Sequence, residues 1–218
     1  YAHMVIHPED IRYHLEKALY MAVTGRPGPV WLDLPLDVQG AIIETESLRA
    51  YDPAENPEQR PQEILQETIE KILDKIEESH RPVLSPGNGV RLAGAIEEFH
   101  ELVDVLGVPV VTGMSSVDAL ESDHPYFVGR SGGTGTRPGN FALQNSDVLL
   151  SIGNRQGFAQ TGFQYQDWAR ESYTILNDID ENELKKPNLH VSLPVVGDAG
   201  ELIRGLLAEA KKRGADKE

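Results

Sequence analysis

Five short polar segments, each placed after an apolar run, carry the residues of this sequence that could do chemistry. They read SPGNG, TGMSS, GNRQG, NDID and GDAG, and they begin at Ser85, Thr112, Gly153, Asn177 and Gly197. Four of the five contain glycine, which lets a ligand approach the backbone closely, and all contain a small polar or acidic residue. At the carboxyl ends of parallel strands, such segments form the edge where open α/β sheets bind ligands. The pattern indicates a nucleotide site, although glycine turns also end strands in proteins that bind nothing.

Two loops have the composition of a phosphate-binding turn. GNGV, Gly87–Val90, follows an apolar run and precedes a helical pattern, but Gly94 does not complete G-x-G-x-x-G and no G-x-x-x-x-G-K-[ST] occurs. The alternative for GNGV is a tight connection between a strand and a helix. GRSGGTGTRPGN, Gly129–Asn140, holds five glycines and two arginines, so its backbone amides could form an anion-binding nest before a helix beginning near Pro138. The alternative for this second loop is a flexible surface loop.

The titratable residues give one ligand candidate and no catalytic group. Asp178 and Asp180 follow an apolar run, where a carboxylate can accept hydrogen bonds from ribose hydroxyls. Asp180 also suits the N-cap of a helix beginning at ENELKK, so Asp178 is the better ligand candidate. The seven histidines have no metal-binding spacing, and no serine lies in a G-x-S-x-G turn. We therefore assign no catalytic residue and no metal ligand.

The elements that would position these segments alternate along residues 61–213. The apolar runs RPVLSPG, VPVVTG, DVLLSIG, YTILNDID and VSLPVVGD predict strands. Helices are predicted for PQEILQETIEKILDKIEES, LAGAIEEFHELVDVLG, PGNFALQNS and the segment from Ala199 to about Lys212, and Met114 to Arg137 is predicted as a long loop. Apolar strands separated by helices are typical of a parallel sheet covered on both faces. The predicted fold class is therefore α/β, with a Rossmann-like parallel sheet and helices on both faces.

A helix and a strand at residues 1–40 precede this region, and we predict that they belong to another domain. Pro8 to Thr24 has a helical stripe of apolar residues, and GRPGPVWLDLPLDVQ, Gly25–Gln39, has the pattern of a turn followed by a buried strand. Residues 41–60 are rich in proline and charge, and we predict an exposed interdomain linker there. Residues 61–213 would then form a second, Rossmann-like domain, and residues 214–218 a tail.

The composition excludes several classes of partner. The formal net charge is −15, from 35 acidic and 20 basic residues, which argues against binding to nucleic acid or anionic membranes. No apolar run approaches the roughly 20 residues of a membrane span, and the first residues lack a secretory signal. The absence of cysteine excludes disulfides and thiolate zinc sites. We expect a cytoplasmic protein.

The order of these segments resembles one known family. Pro8–Gln39, which reads PEDIRYHLEKALYMAVTGRPGPVWLDLPLDVQ, is similar to the closing helix and strand of the pyrimidine-binding domain in thiamine-diphosphate-dependent enzymes, above all acetolactate synthase large subunits. Residues 61–211 resemble the central domain of these enzymes. The stretches that carry this second resemblance are RPVLSPGNGV, GVPVV, HPYFVGRSGGTGTRPGNFALQNSDVLLSIGNR, ILNDIDENELKKP and VVGDAGELI. Together the two resemblances cover nearly the whole chain.

The resemblance implies a larger, homo-oligomeric parent enzyme, a transferase or lyase that cleaves a 2-oxo acid and ligates the fragment bound to thiamine diphosphate with magnesium. The family's GDG motif, which holds the diphosphate and the metal, is not matched by GDAG at Gly197–Gly200, with alanine in the third place and only 18 residues after it. The family's activating glutamate lies earlier in the pyrimidine-binding domain than this chain reaches. We therefore expect a non-catalytic fragment, whose partners are the remaining domains of the parent chain.

The resemblance also implies a ligand, because the central domain of acetolactate synthases binds FAD and that of their relatives binds ADP or nothing. The positions that would contact the flavin nucleotide are Gly87, Gly89, Thr112, Gly113, Gly132, Gly133, Thr134, Gly153, Asn154, Arg155, Asp178, Ile179, Gly197, Asp198 and Ala199. Two motifs depart from the family. Gly133-Thr134 replaces Met-His, and GNRQGF replaces GARFDDR, which keeps Arg155 and loses the acidic pair. The alternatives are a free-standing Rossmann-like nucleotide-binding module and a structural spacer with an empty cleft.

Overall fold

The chain divides into two units. A computed structural model of the protein describes residues 1–57 and 61–214. Internal contacts group Tyr1–Arg60 into one compact unit and Pro61–Glu218 into the other.

The first unit contains two α-helices and two short parallel strands among the described residues. Its elements are β1 (Ala2–Met4), α1 (Ile11–Val23), β2 (Trp31–Asp33) and α2 (Leu36–Gln39). β1 and β2 pair with Ala2 opposite Trp31 and Met4 opposite Asp33. The strand predicted within Gly25–Gln39 thus has a partner inside the chain. The expectation that it is buried is wrong for these residues, because Trp31 is 72% exposed.

Residues 41–57 contact α1 of the same unit. The backbone amide of Tyr51 donates to Glu16 Oε2 at 2.8 Å, and the Tyr13 hydroxyl donates to Glu55 Oε2 at 2.7 Å. The Tyr51 ring is buried and lies edge-on to the ring of Tyr13, with 5.6 Å between ring centroids. The described part of the predicted linker therefore packs on α1, and a role between domains stays a prediction. Residues 58–60 lie outside the described residues.

The second unit contains six strands and seven helices among the described residues. The strands are β3 (Pro82–Pro86), β4 (Val110–Thr112), β5 (Phe127–Arg130), β6 (Val148–Ile152), β7 (Tyr173–Asp178) and β8 (Leu193–Val196). The helices are α3 (Gln66–Glu77), α4 (Asn88–Leu92), α5 (Ile96–Leu106), α6 (Arg137–Gln144), α7 (Phe158–Thr161), α8 (Glu181–Leu184) and α9 (Ala199–Arg213). The predicted tail, residues 214–218, is described only at Gly214.

The six strands form one parallel sheet in the order β5-β4-β3-β6-β7-β8. This is the strand order of doubly wound dinucleotide-binding folds, in which the chain first builds outward in one direction and then in the other. The reversal lies between β3 and β6, which is the topological switch point. The predicted fold class, a Rossmann-like α/β sheet, is confirmed.

Successive residues of a strand point to opposite faces of the sheet, so both faces carry apolar side chains. Helices cover both faces and bury these side chains. Leu84 faces a core that includes Phe99 of α5 and Leu202 of α9, all fully buried. Val83, its neighbour in sequence, faces a second core that includes Leu143 of α6. Each such buried side chain stabilises the fold by about 1.5–3 kcal/mol.

Two element predictions are wrong. The predicted loop from Met114 to Arg137 contains β5, whose four residues include glycine and form no long apolar run. The predicted helix at Leu92–Gly107 begins instead at Ile96, because Gly94 adopts a left-handed φ of +63° between α4 and α5. Leu92 therefore belongs to α4 and is 63% exposed. Among the described residues, we find no helix with the length and apolar character to span a bilayer.

Candidate functional site

The loops after β3 and β6 touch at the topological switch point. The amide of Gly87 donates to the carbonyl of Ile152 at 2.8 Å, and the amide of Gly89 donates to the carbonyl of Gly153 at 3.0 Å. A β-carbon on Gly87 would overlap Gly153, and one on Gly89 would lie 2.7 Å from the Gly153 α-carbon. These glycines therefore allow two backbones to meet, and ligand contact at these positions stays a prediction.

A network of buried polar side chains lies beneath these loops. Asn154 Nδ2 donates to Ser85 Oγ at 3.0 Å, and Gln160 Nε2 donates to Ser131 Oγ at 3.1 Å and lies 3.5 Å from Ser85 Oγ. Ser85, Asn154 and Ser131 are buried, whereas Gln160 is half-buried. The Thr112 hydroxyl, fully buried at the end of β4, has no hydrogen-bond partner among the described residues. The carboxyl ends of β3 and β4 thus carry buried hydrogen-bonding groups.

The segment around α7 covers the ends of β4 and β5. The Gln160 side chain lies against Gly113, where an added β-carbon would be 2.9 Å from Gln160 Oε1. The Gly133 amide donates to the carbonyl of Ala159 at 3.1 Å. Gly132 has a φ of +99°, and a β-carbon there would collide with the same carbonyl. The predicted ligand positions at Gly113, Gly132 and Gly133 are therefore brought together. In this structure they are contacted by residues of α7.

The glycine-rich loop uses its backbone amides internally. The Gly132 amide donates to Asn140 Oδ1 at 2.8 Å, and the Gly135 amide donates to the Gly132 carbonyl at 2.9 Å. The Thr136 hydroxyl caps α6 by accepting from Gly139. Thr134 is exposed, and its hydroxyl lies 3.9 Å from Met114 Sδ. In this conformation the Gly132 and Gly135 amides are not available to an anion, which favours the surface-loop alternative over the nest.

Arg155 is paired within the protein. Its guanidinium binds Glu183 Oε1 at 2.7 and 2.8 Å, and Lys186 Nζ donates to the Arg155 carbonyl at 2.6 Å. Burial favours the neutral form of Glu183, but hydrogen bonds and charge from Lys186 and Arg155 outweigh it, so the Glu183 pKa is lowered. Arg155 and Gln156 have left-handed φ values of 37° and 46°, which strain non-glycine residues. This ion-pair cluster holds a strained turn beside the switch point.

The remaining predicted positions lie after β7 and β8. Asp178 is buried, and its Oδ1 accepts from the Asp180 amide at 3.0 Å. Asp180 caps α8 through the amide of Asn182, as its sequence position indicates. Ile179 is 40% exposed. The sheet brings these positions to the same edge as Thr112 and Asn154, and their contact with a ligand stays a prediction.

The last three predicted positions form the junction of β8 and α9. The Gly197 amide donates to the Asp178 carbonyl at 3.1 Å, and a β-carbon on Gly197 would collide with the Ile64 side chain. Asp198 caps α9 by accepting from the Glu201 amide at 3.0 Å, and Ala199 begins that helix. These residues therefore have a local structural role, and ligand contact here also stays a prediction.

Sequence reasoning missed Gln160 and Glu183. Gln160 lies in a stretch without regular hydrophobic spacing, so nothing in the pattern places it at the strand ends. Glu183 is the third residue of a four-residue helix, where an acidic residue resembles a solvated one. One sequence feature could have indicated the ion pair of Glu183. Lys186 follows three residues later, at a spacing that allows ion pairs along a helix.

The strand order, the glycine-lined edge and the two-faced core define a Rossmann-like α/β domain. Residues 69–206 match the family described as "Thiamine pyrophosphate enzyme, central domain". The match covers more than half of the chain. The chain belongs to this family.

Curated relatives include acetolactate synthase large subunits and an oxalyl-CoA decarboxylase. The chain is 38% identical over 209 residues to a probable acetolactate synthase large subunit of Methanocaldococcus jannaschii, covering 92% of this chain and 34% of the relative. It is 36% identical over 220 residues to an acetolactate synthase large subunit of Corynebacterium glutamicum, covering 99% of this chain and 34% of the relative. An oxalyl-CoA decarboxylase of Escherichia coli is 29% identical, covering 97% of this chain and 36% of that protein. The chain thus spans about a third of the length of these relatives.

Proposed function

We propose that this chain is the non-catalytic central part of a longer thiamine-diphosphate-dependent enzyme similar to acetolactate synthases. The observation that carries the proposal is the match of residues 69–206 to the family's central domain, within relatives about three times as long. In the whole protein, the proposed reaction is decarboxylation of a 2-oxo acid and ligation of the remaining fragment. The proposed whole enzyme is a cytoplasmic homo-oligomer that uses thiamine diphosphate and magnesium.

The residues present do not fit the thiamine diphosphate and magnesium site itself. Asp198, the acidic residue of GDAG, is occupied as the N-cap of α9. Among residues 1–57 and 61–214, no three His, Asp or Glu side chains lie together in a way that could hold a metal ion. We therefore assign that cofactor to other domains of the parent.

The first unit supports a place inside a larger protein. Leu15, Leu19 and Val23 repeat every four residues on α1, and they are 50%, 67% and 66% exposed. Trp31 of β2 is also exposed, and within residues 1–57 and 61–214 the strand β2 has one partner, β1. An apolar helix face beside an open sheet edge is costly in water and aggregation-prone. We propose that the remaining domains of the parent cover it.

For the strand-end edge of the second unit, we propose an adenine nucleotide as ligand, either FAD or ADP. The supporting observations are the switch-point topology, the glycines at Gly113 and Gly132, and the buried Thr112 hydroxyl that lacks a partner among the described residues. Such residues fit a ligand that approaches the backbone closely and offers hydrogen-bonding edges. A spacer with an empty cleft is the second candidate, favoured by the internal bonding of the Gly132 and Gly135 amides.

Titration of the 218-residue chain distinguishes these candidates. We expect FAD to bind saturably, as seen by quenching of flavin fluorescence, and ADP to displace it. Thiamine diphosphate with magnesium should give no binding heat in calorimetry, and the chain alone should form no carboligation product. If neither FAD nor ADP binds, the spacer is correct. Carboligation by the isolated chain would contradict its assignment as a non-catalytic part.

A further inference from the structure

The short helix α7 is bracketed by two glycines that have open space around them. Gly157 precedes α7 and Gly162 follows it, the latter at a φ of +77°. A β-carbon on either glycine would have no atom of the described residues within 4 Å. Glycine allows large backbone rotations at low steric cost, so these positions can act as hinges.

The inner side of α7 inserts one polar side chain into the strand-end edge. Gln160 lies against Gly113 and hydrogen-bonds to Ser131 Oγ at 3.1 Å, with Ser85 Oγ at 3.5 Å. It therefore occupies the space beside the hydroxyl groups that end β3 and begin the glycine-rich loop. A ligand that used these hydroxyls would have to displace the Gln160 amide.

A cavity adjoins the same side chain on the side of α6. Its volume is about 140 Å³, and its walls include Gln160, Thr161, Leu143 and Trp168. A space of this size exceeds what one water molecule needs and is large enough for a displaced glutamine side chain. Gln160 thus borders both the strand ends and a space into which it can rotate.

The outer side of α7 is weakly anchored by apolar burial. Phe158 and Phe163 are 70% and 86% exposed, and they stack on each other with 5.8 Å between ring centroids. A segment with little buried apolar area opens at a lower free energy than the core does. The contacts of Gln160 and the hydrogen bond from Gly133 to Ala159 therefore contribute much of what keeps α7 closed.

We propose that α7 is a lid over the strand-end edge, with Gly157 and Gly162 as its hinges and Gln160 as the plug that a nucleotide displaces. The inference rests on the proposed adenine-nucleotide site and adds a gate to it. Opening moves Gln160 toward the cavity beside Trp168 and exposes Gly113 together with the Ser85 and Ser131 hydroxyls. The conformation in this structure, with Gln160 against Gly113, is the closed form.

The first test compares Gln160→Ala with Gln164→Ala in the 218-residue chain. Gln164 is exposed beside the same lid, so its substitution is the matched control. Loss of the plug's hydrogen bonds should increase FAD affinity and association rate by about tenfold, whereas Gln164→Ala should bind like the wild type. Equal or weaker binding by Gln160→Ala, when the wild type binds FAD, overturns the lid and leaves the proposed nucleotide site intact. Far-UV circular dichroism verifies that both variants are folded.

The second test needs no ligand and examines the lid alone. Hydrogen exchange of the unliganded chain should be fast at the Thr161 and Gly162 amides and slow in β6, although both amides are hydrogen-bonded within the α7 segment. Protection of Thr161 equal to that of β6 overturns the lid whether or not a nucleotide binds. If exchange is fast but the wild type binds neither FAD nor ADP, the proposed nucleotide function is wrong, and the proposed lid is wrong with it.

Discussion

The carbonyl oxygen of Gly153 accepts a hydrogen bond from the Gly89 amide at 3.0 Å, and Gly153 fills the space that a side chain on Gly89 would need. This contact joins the two loops at the point where the sheet order reverses. Glycine is needed at both positions because the two backbones pack directly against each other.

Gly89→Ala should therefore lower the free energy of unfolding of the second unit by about 1–3 kcal/mol, as overpacking does in well-packed regions. The neighbouring atoms are backbone and cannot rotate away. Gly133→Ala is the control, because its β-carbon would meet nothing within 4 Å. Urea unfolding followed by Trp168 fluorescence in a Trp31→Phe background measures both variants. Equal stability of the two variants would contradict the role of this contact.

Glu183→Gln should lower the free energy of unfolding by about 1–2 kcal/mol at neutral pH. This loss of stability is smaller than that expected on breaking a fully buried ion pair, because the Arg155 side chain is 65% exposed. Since the Glu183 pKa is lowered in the folded protein, its contribution is present above the unfolded pKa and is lost as the pH falls through the folded pKa. The difference between wild type and variant should shrink below about pH 4.

The control for this prediction is Glu181→Gln, on the same short helix. Glu181 pairs with Lys185 at 2.6 Å, and both side chains are largely exposed. Exposed pairs contribute about 0–1 kcal/mol, so this substitution should have little effect. The prediction is checked by the urea unfolding midpoints of the wild type, Glu183→Gln and Glu181→Gln, measured from neutral to acidic pH. A pH-independent difference at Glu183 would show that its charge is not the cause.

Asp147→Asn should destabilise the turn before β3 by about 2 kcal/mol. Asp147 accepts hydrogen bonds from the Ser79 hydroxyl and from the amides of His80 and Arg81, the latter two at 2.9 Å each. Burial opposes ionisation, but these hydrogen bonds lower the pKa of Asp147 to about 2. The stabilisation is therefore present above the unfolded pKa of about 3.9 and is lost between about pH 4 and pH 2. Thermal unfolding measured across this pH range should show the melting temperature of the wild type falling toward that of Asp147→Asn.

The first unit should lose stability as the pH falls below about 6.5. His14 stacks on His3 with 3.8 Å between ring centroids, and its Nδ1 lies 2.7 Å from the Tyr1 hydroxyl. Burial lowers the pKa of His14, and His3 lowers it further, so the neutral form is favoured in the folded state. Stability is then present above the unfolded pKa and is lost as the pH falls through the folded pKa.

NMR titration of the His14 ring protons measures this pKa directly. His3→Ala should raise the His14 pKa, because it removes a like charge and part of the burial. An unchanged His14 pKa in this variant would exclude coupling between the two rings. Hydrogen exchange along α1 should become faster over the same pH range in the wild type.

Much of the second unit could be predicted from apolar runs alone. The strands β3, β4, β6, β7 and β8 follow five such runs, because a strand buried on both faces needs continuous apolar residues. β5 could not be predicted in the same way, since its residues Phe127–Arg130 include glycine and arginine and end at a glycine-rich loop. The break between α4 and α5 depends on the conformation of Gly94, which the helical stripe does not reveal.

By itself, the sequence determined the parallel α/β class, the polar strand ends and the resemblance to a thiamine enzyme's central domain, because periodicity and local motifs are properties of neighbouring residues. Only the tertiary structure decided what those polar groups do. It joined Gly89 to Gly153, Arg155 to Glu183, and Gln160 to Ser131, which are pairs separated by 28 to 64 residues along the chain. Such contacts depend on strand order and loop packing, and local sequence patterns do not encode them.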